Sequence, residues 1–189
     1  MQITKEQNEA AGSIIELIAN EIGINRQIHP GTAIAAGARL AGSFMFRSFN
    51  FNLNNVSPGA PVLSEEANEK GPVLINILAV TLKNFGVNPD PGKMNTTSKV
   101  ESNLTLVETL LRIQDQAQVI MNKYKLNPEQ MAYSCAMATA FIIKECQNDL
   151  PVESGFHTAV YGFIEGSKTY PPEFGTPKAK KKSIFRFWK

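Results

Sequence analysis

The sequence predicts an all-α fold, a single domain of about six helices arranged as an orthogonal or up-down helical bundle. Apolar residues recur every three or four positions along most of the chain, which is the spacing of one helix face. Helix-start signals recur between these stretches, and alternating strand patterns are nearly absent. A chain of 189 residues is long enough for one well-packed core. We expect the α-helical domain at residues 1–176 and a separate basic and aromatic C-terminal segment at residues 177–189.

Two helices are predicted near the N-terminus. The first spans residues 4–22, because Thr4 and Gln7 match a capping box and the apolar residues that follow form one stripe. The second begins at Pro30, since proline fits the first helical position, and runs to about residue 49.

The second predicted helix carries a row of small residues, namely Ala33, Gly37 and Ala41, with Ala38 and Gly42 beside it. Small residues let two helix backbones approach closely, and each glycine costs up to about 1 kcal/mol of helix propensity. We therefore expect this row to pack closely against another helix. A contact between two copies of the chain, giving a homo-oligomer, is a further hypothesis for the same row.

The third predicted helix begins at Ser64 and ends near Phe85. The dipeptide Gly71-Pro72 should kink or restart it, because proline removes a backbone donor. A strand over the apolar stretch VLINILAVTL stays an open alternative. The stretch VNPDPGKMNTTSKV is predicted to be a loop, and a fourth helix is predicted over residues 101–125.

The fifth predicted helix, at about 128–147, is expected to be central and buried. The tripeptide NPE at its start is a helix-start signature, and no charged residue occurs from Met131 to Ile143. A helix that is apolar on all sides is typically buried on all sides. A sixth helix is predicted at about 152–167.

Cys135 and Cys146 lie on this fifth helix, about 16 Å apart along its axis. A disulfide needs Cα atoms within about 7 Å, so no bridge between them is expected. Reduced, buried cysteines indicate a cytoplasmic protein. The N-terminal residues lack the pattern of a signal peptide, and no apolar run reaches the roughly 18 residues of a membrane span.

The charge of the chain is divided unevenly. The net charge is +2, yet the residues after Pro177 hold six of the 19 basic residues and none of the 17 acidic residues. The rest of the chain therefore carries 13 basic and 17 acidic residues, a balance of −4. The C-terminal segment is the part that we expect to meet an anionic partner, and nucleic acid is the partner class least expected for the protein.

Three residues form an alternative, ligand-binding hypothesis: His29, Arg39 and Arg47. His29 stands at the start of the second predicted helix, where exposed N–H groups can bind an anion. The two arginines on that helix could clamp the same anion in one cavity. The competing interpretation is structural: His29 caps the helix, and the arginines pair with nearby acids, Glu145 being one candidate.

No catalytic residue is identified by the sequence, and whether the chain is an enzyme stays open, with a non-enzymatic function favoured. The two histidines, His29 and His157, are far apart, and no spacing typical of zinc ligands occurs. Cys135 has no base or positive charge near it in the sequence, so a core position is favoured over a reactive thiolate. No metal and no cofactor are expected.

The C-terminal segment contains the clearest functional signal. On a helical wheel, four apolar residues form one arc and the basic residues lie largely opposite, as in a very short amphipathic helix. Such a helix is marginal alone in water and would order on contact. The stretch YPPEFGTPKAK before it is predicted to be a stiff spacer leading away from the domain. The residues assigned to membrane or partner binding are Lys180, Lys181, Lys182, Ile184, Phe185, Arg186, Phe187 and Trp188.

Four contacts for this segment stay open: an anionic membrane surface, the groove of a partner protein, RNA, and the protein's own core. The membrane is favoured, because each basic residue near an anionic surface contributes about 1 kcal/mol and tryptophan favours the headgroup level. The leading hypothesis is therefore a non-enzymatic cytoplasmic α-helical protein, attached peripherally at the inner membrane face or to a partner protein.

Overall fold

A computed structural model describes residues 3–23, 29–53 and 55–176. Over these residues the chain forms seven α-helices and no β-strand, which confirms the predicted all-α class. None of the described helices combines the length and the continuous apolar character needed to cross a bilayer. The helices are α1 (Lys5–Ile22), α2 (Pro30–Ser48), α3 (Glu65–Asn84), α4 (Pro91–Met94), α5 (Leu106–Lys123), α6 (Pro128–Glu145) and α7 (Val152–Ser167).

Helix α2 lies at the centre of the bundle together with α6. Every residue of α2 from Gly31 to Phe46 is buried, and α2 packs against α1, α3, α5, α6 and α7. The predicted burial of the fifth helix is confirmed by α6, whose buried residues extend from Met131 to Ile143. Helix α2 is buried even more completely than α6, which its sequence pattern did not predict.

The row of small residues on α2 is explained by its neighbours within the same chain. A Cβ atom on Gly42 would lie 2.6 Å from the backbone oxygen of Phe163 in α7, and one on Gly166 would lie 2.5 Å from the backbone oxygen of Arg39. Gly37 faces Thr139 of α6 equally closely. The predicted close packing is confirmed. Because α6 and α7 cover this row, it is not the exposed face that a contact between two copies would use.

The fourth predicted helix begins later than expected. Helix α5 starts at Leu106 and not at 101, because Thr105 and Glu108 form a capping box. The Glu108 carboxylate accepts a hydrogen bond of 2.9 Å from the Thr105 amide, while the Thr105 hydroxyl accepts one of 3.2 Å from the Glu108 amide. Residues 99–105 therefore form a loop, called the 99–105 loop below.

The predicted restart of the third helix is wrong, and so is the predicted loop over the four residues of α4. Helix α3 continues through Pro72 without restarting, and no strand forms in its apolar half. Pro72 lies on the exposed face of α3, where water can hydrate the backbone carbonyl that loses its donor. In the predicted loop after α3, the short helix α4 forms because Asp90 caps it, accepting a hydrogen bond of 2.8 Å from the Gly92 amide.

Candidate functional site

The residues assigned to membrane or partner binding, Lys180 to Trp188, lie outside the described residues, as does the amphipathic helix predicted for them. Their attachment to the body is described up to Thr176. The predicted stiff spacer is wrong for its first half, because residues 170–176 lie against the helices with Pro171 and Pro172 buried. We call residues 170–176 the strap.

The strap is fixed first to the connection between α2 and α3. The Tyr170 amide donates to the carbonyl of Ala60 at 2.9 Å, and the Gly59 amide donates to the carbonyl of Tyr170 at 2.8 Å. Two residues before Tyr170, the carbonyl of Lys168 accepts a hydrogen bond of 2.7 Å from the Val62 amide. These backbone hydrogen bonds join two coil segments that are distant in sequence.

The strap is then fixed to α2 and α5 by side chains. Arg47 Nη2 donates to the Pro172 carbonyl at 2.6 Å and to Gln114 Oε1 at 3.0 Å. Gln114 Nε2 in turn donates to the Glu173 carbonyl at 3.1 Å. The buried Gln114 side chain therefore links Arg47 to the strap. Asp115 accepts a hydrogen bond of 2.9 Å from the Gly175 amide. The strap therefore ends at a fixed place beside α5.

Arg47 also stacks on the strap. Its guanidinium carbon lies 3.9 Å from the centre of the Phe174 ring, a cation–π distance. Desolvation by the surrounding protein lowers the pKa of Arg47, and the nearby charge of Glu173 opposes that shift. A guanidinium keeps its proton in proteins, so Arg47 stays positively charged, and it forms no salt bridge with another described residue.

A cavity of about 310 Å³ opens between the strap, α2 and α5. Five aromatic side chains line it, together with Arg47, Met121 and Glu173 among others. Phe46 meets Phe51 and Tyr170 edge to face, with ring centres 5.5 Å and 6.1 Å apart. We call this the aromatic cavity; its rings are those of Phe44, Phe46, Phe51, Tyr170 and Phe174.

Arg39 lines a different cavity, of about 330 Å³, between α2, α7 and the 99–105 loop. Arg39 is only 8% exposed. Its Nε donates to Glu165 Oε2 at 2.6 Å, and its Nη1 donates to the Ser102 hydroxyl at 3.1 Å and to the Leu104 carbonyl. Lys99 and Glu101, at the same cavity, pair with each other at 2.6 Å. Arg39 and Lys99 are thus each paired with a carboxylate of the protein, and the hydrogen bonds of Arg39 hold the 99–105 loop against α2.

His29 is the N-terminal cap of α2. Its Nδ1 accepts a hydrogen bond of 3.3 Å from the Thr32 amide and lies 3.0 Å from the Thr32 hydroxyl. The same hydroxyl accepts a hydrogen bond of 3.0 Å from the Asn103 amide. The structural interpretation of His29 as a cap is confirmed, and the first turn of α2 is tied to the 99–105 loop.

The structure does not bring His29, Arg39 and Arg47 together. Arg39 and Arg47 line separate cavities, and His29 lines neither of them. Arg39 pairs with Glu165 and not with the proposed Glu145, which pairs with Lys144 at 2.6 Å. Arginines eight positions apart differ by about 80° around a helix, so each reaches a different set of neighbours.

The cysteines and histidines belong to no metal-binding group in the described part of the chain. Both cysteines are free, and burial raises the pKa of the Cys135 thiol, which opposes thiolate formation. Cys146 is only half-buried, so its predicted burial is only partly met. No group of three or more metal-ligating side chains occurs among residues 3–23, 29–53 and 55–176.

The chain was compared with protein-family models, with curated proteins and with solved structures. No match was found in any of the three.

Neither the strap nor the aromatic cavity was predicted from the sequence. A signal was present, because Tyr170 and Phe174 follow the last helix and Phe44, Phe46, Phe49 and Phe51 cluster at the end of the second. Aromatic residues in coil next to prolines are typical of a segment that packs on the body.

Proposed function

We propose that the protein attaches to an anionic membrane surface through residues 177–189, which we call the basic–aromatic segment. The observation that carries the proposal is the strap, which holds the chain against α2 and α5 up to Thr176. The six positive charges and four large apolar residues that follow are therefore presented from one place on the body. A fixed origin gives the attached protein a defined orientation.

Charge supports the same proposal. The basic–aromatic segment is attracted to anionic lipid, whereas the remaining chain has four more acidic than basic residues and is repelled. Electrostatic attraction and repulsion both decay over about 8 Å at physiological salt. The segment can therefore bind the membrane while the acidic body remains at a distance from it. Insertion of Phe185, Phe187 and Trp188 would add apolar burial at the headgroup level. The binding would be weak and reversible.

The ligand-binding alternative has less support. Its three residues line no common cavity, and the Arg39 guanidinium is already engaged by Glu165 and by two groups of the 99–105 loop. An incoming anion would have to displace a carboxylate at 2.6 Å. Such exchange costs the hydrogen bonds that hold the loop.

Co-sedimentation with vesicles tests the proposal. The full chain should bind vesicles that contain phosphatidylserine, should not bind pure phosphatidylcholine vesicles, and should dissociate at high salt. Replacing Lys180, Lys181 and Lys182 with glutamine should weaken binding up to about a hundredfold, since three charges contribute about 3 kcal/mol.

A matched control removes the same number of positive charges from the body of the protein. Lys5, Lys83 and Lys123 are exposed, and replacing them with glutamine should leave vesicle binding unchanged. Equal failure of the full chain and of a variant ending at Pro177 to bind anionic vesicles would overturn the membrane proposal. Capture of a protein or of RNA in place of vesicles would assign the segment to the other partner classes.

A further inference from the structure

The aromatic cavity and the basic–aromatic segment lie next to each other along the chain. We infer that the segment docks into the aromatic cavity of its own molecule, with Trp188 seated among the rings, when no membrane is present. This inference rests on the proposed function, because it describes how the same segment is held before attachment.

Reach favours an intramolecular contact. Glu173 lines the aromatic cavity, and its carbonyl accepts a hydrogen bond of 2.6 Å from the Thr176 hydroxyl. The strap therefore ends beside the cavity. The twelve residues from there to Trp188 span at most about 40 Å when extended, which is more than enough to turn back. A short tether also gives an effective concentration in the millimolar range.

The chemistry of the cavity suits an aromatic side chain. Its volume of about 310 Å³ is near the lower limit of ligand pockets, about 300 Å³, and suits one or two side chains rather than a large ligand. Rings that already meet edge to face, such as Phe46 and Phe51 at 5.5 Å, can extend the same packing to an indole. Arg47, stacked on Phe174, adds a cation at the wall that favours a tryptophan face.

Charge complementarity favours the lysines at the rim. Glu173 is exposed at the cavity, and Asp115 lies beside the end of the strap. Lys180, Lys181 and Lys182 lie between the strap and the aromatic residues in the sequence, so docking of Trp188 would bring them past these carboxylates. The attraction is between a segment of six positive charges and a body with four excess negative charges.

Docking would compete with membrane attachment, because Trp188 cannot be in the aromatic cavity and in the bilayer at once. The apparent affinity for vesicles is then reduced by the fraction of molecules whose segment is docked. Loss of the cavity should therefore strengthen vesicle binding.

Trp188 is the chain's single tryptophan, so its fluorescence reports on docking directly. In the full chain without vesicles, we expect blue-shifted emission and weaker acrylamide quenching than in a synthetic peptide of residues 177–189. Met121→Lys, which places a charge in the cavity wall, should return both signals to the level of the peptide. Phe51→Ala should do so in part and should increase the fraction bound to phosphatidylserine vesicles.

The matched control is Val119→Lys. It adds the same charge on α5, at a side chain that is 67% exposed and lies outside the aromatic cavity, and it should leave Trp188 protected. Far-UV circular dichroism checks that each variant is folded. If Met121→Lys does not fold, Phe51→Ala alone decides.

Three results would overturn the inference: quenching in the full chain equal to that of the peptide, protection that survives both cavity variants, or protection lost on dilution, which would assign the contact to a second copy. The proposed function fails separately. Protection of Trp188 without any binding to anionic vesicles would support docking and contradict membrane attachment. Binding to anionic vesicles without protection of Trp188 would support membrane attachment and contradict docking.

Discussion

Arg39 and Arg47 lie about two turns apart on α2, and each holds a coil segment against the helices. Arg39 is almost fully buried and pairs with Glu165 at 2.6 Å while it binds the 99–105 loop. Arg47 is half-buried, binds the strap through the Pro172 carbonyl and the Phe174 ring, and has no salt bridge among the described residues. Arg39 is paired directly with a carboxylate, whereas the carboxylates of Glu173 and Asp115 act on Arg47 from beyond salt-bridge distance.

The difference indicates which segment can open. A buried arginine that has lost its carboxylate partner is costly, so the 99–105 loop should separate from α2 only on unfolding. Arg47 binds the strap through a neutral carbonyl and an aromatic ring, so release of the strap leaves no buried carboxylate opposite its positive charge. Release of the strap would expose that charge to water, and this recovers part of the desolvation cost. The strap is therefore the segment expected to move locally.

The largest expected effect is that of Arg39→Ala. It leaves the Glu165 carboxylate and the Leu104 carbonyl without their donor, and the free energy of unfolding should fall by about 3 kcal/mol. Urea unfolding measures this change. Arg112→Ala is the control, because Arg112 is only half-buried and attracts the Glu108 carboxylate on the same helix without a direct salt bridge, so stability should change by less than about 0.5 kcal/mol. A loss of stability below about 1 kcal/mol for Arg39→Ala would show that the buried ion pair of Arg39 contributes no more than the hydrogen bonds of Arg47.

Gly166→Ala tests whether the Arg39 pair depends on the close crossing of α2 and α7. The new Cβ would lie 2.5 Å from the Arg39 backbone oxygen and 2.9 Å from Gly42 Cα, so the helices must separate. We expect a loss of about 2 kcal/mol. Gly12→Ala is the control on α1, where no atom lies within 4 Å, and it should stabilise the protein by up to about 1 kcal/mol. Equal effects at the two glycines would contradict the close crossing.

Arg47→Leu should have a smaller and more local effect. The hydrogen bonds to Pro172 and Gln114 are lost, but no buried carboxylate is left behind, so we expect a loss of about 1 kcal/mol. Amide exchange should become faster in the strap and stay unchanged in α2. Arg47→Lys keeps the charge but not the planar stacking, and should release the strap nearly as much. Uniform acceleration of exchange across all helices would show that the strap does not open separately.

The smallest effect concerns a carboxylate that holds the connection before α4. Glu153 is buried and accepts a hydrogen bond of 2.8 Å from the Asp90 amide, which lowers the pKa of Glu153 below its usual range. A lowered pKa in the folded state stabilises the protein above the unfolded pKa of about 4.3, and this stability is lost as pH falls through the folded value.

Glu153→Gln should cost only about 0.5 kcal/mol at neutral pH, because the glutamine oxygen can still accept the hydrogen bond from Asp90. The difference in unfolding free energy between the two proteins should shrink as the pH falls below the unfolded pKa of about 4.3 and through the lower folded value. Denaturant titrations at several pH values measure this. A difference that stays constant down to low pH would exclude the carboxylate charge as the cause.

The helices could be predicted well because their signals are local. The capping box at Thr4, the proline at the start of α2 and the apolar stripe of α1 each lie within a few residues of the structure that they specify. The start of α5 was missed, although Thr105 and Glu108 carry the same signal as Thr4 and Gln7. The apolar stretch of α6 also predicted its burial, because an uncharged helix has no face suited to water.

The cavities could not be predicted, since their walls come from residues far apart in the sequence. Arg39 and Glu165 are separated by 126 positions, and Arg47 and Pro172 by 125. Spacing along α2 suggested one shared site for the two arginines. In the structure, α7 crosses α2 beside Arg39, which pairs with Glu165 of α7, whereas Arg47 contacts the strap.

By itself, the sequence determined the all-α class, most helix limits, the burial of α6, the close packing of small residues on α2, and the separation of a basic segment from an acidic body. These properties follow from local hydrogen bonding, side-chain size and charge. Only the tertiary structure decided that residues 170–176 form a strap and that the two arginines occupy different cavities. Such contacts depend on which distant surfaces meet, and no local preference of the chain encodes that choice.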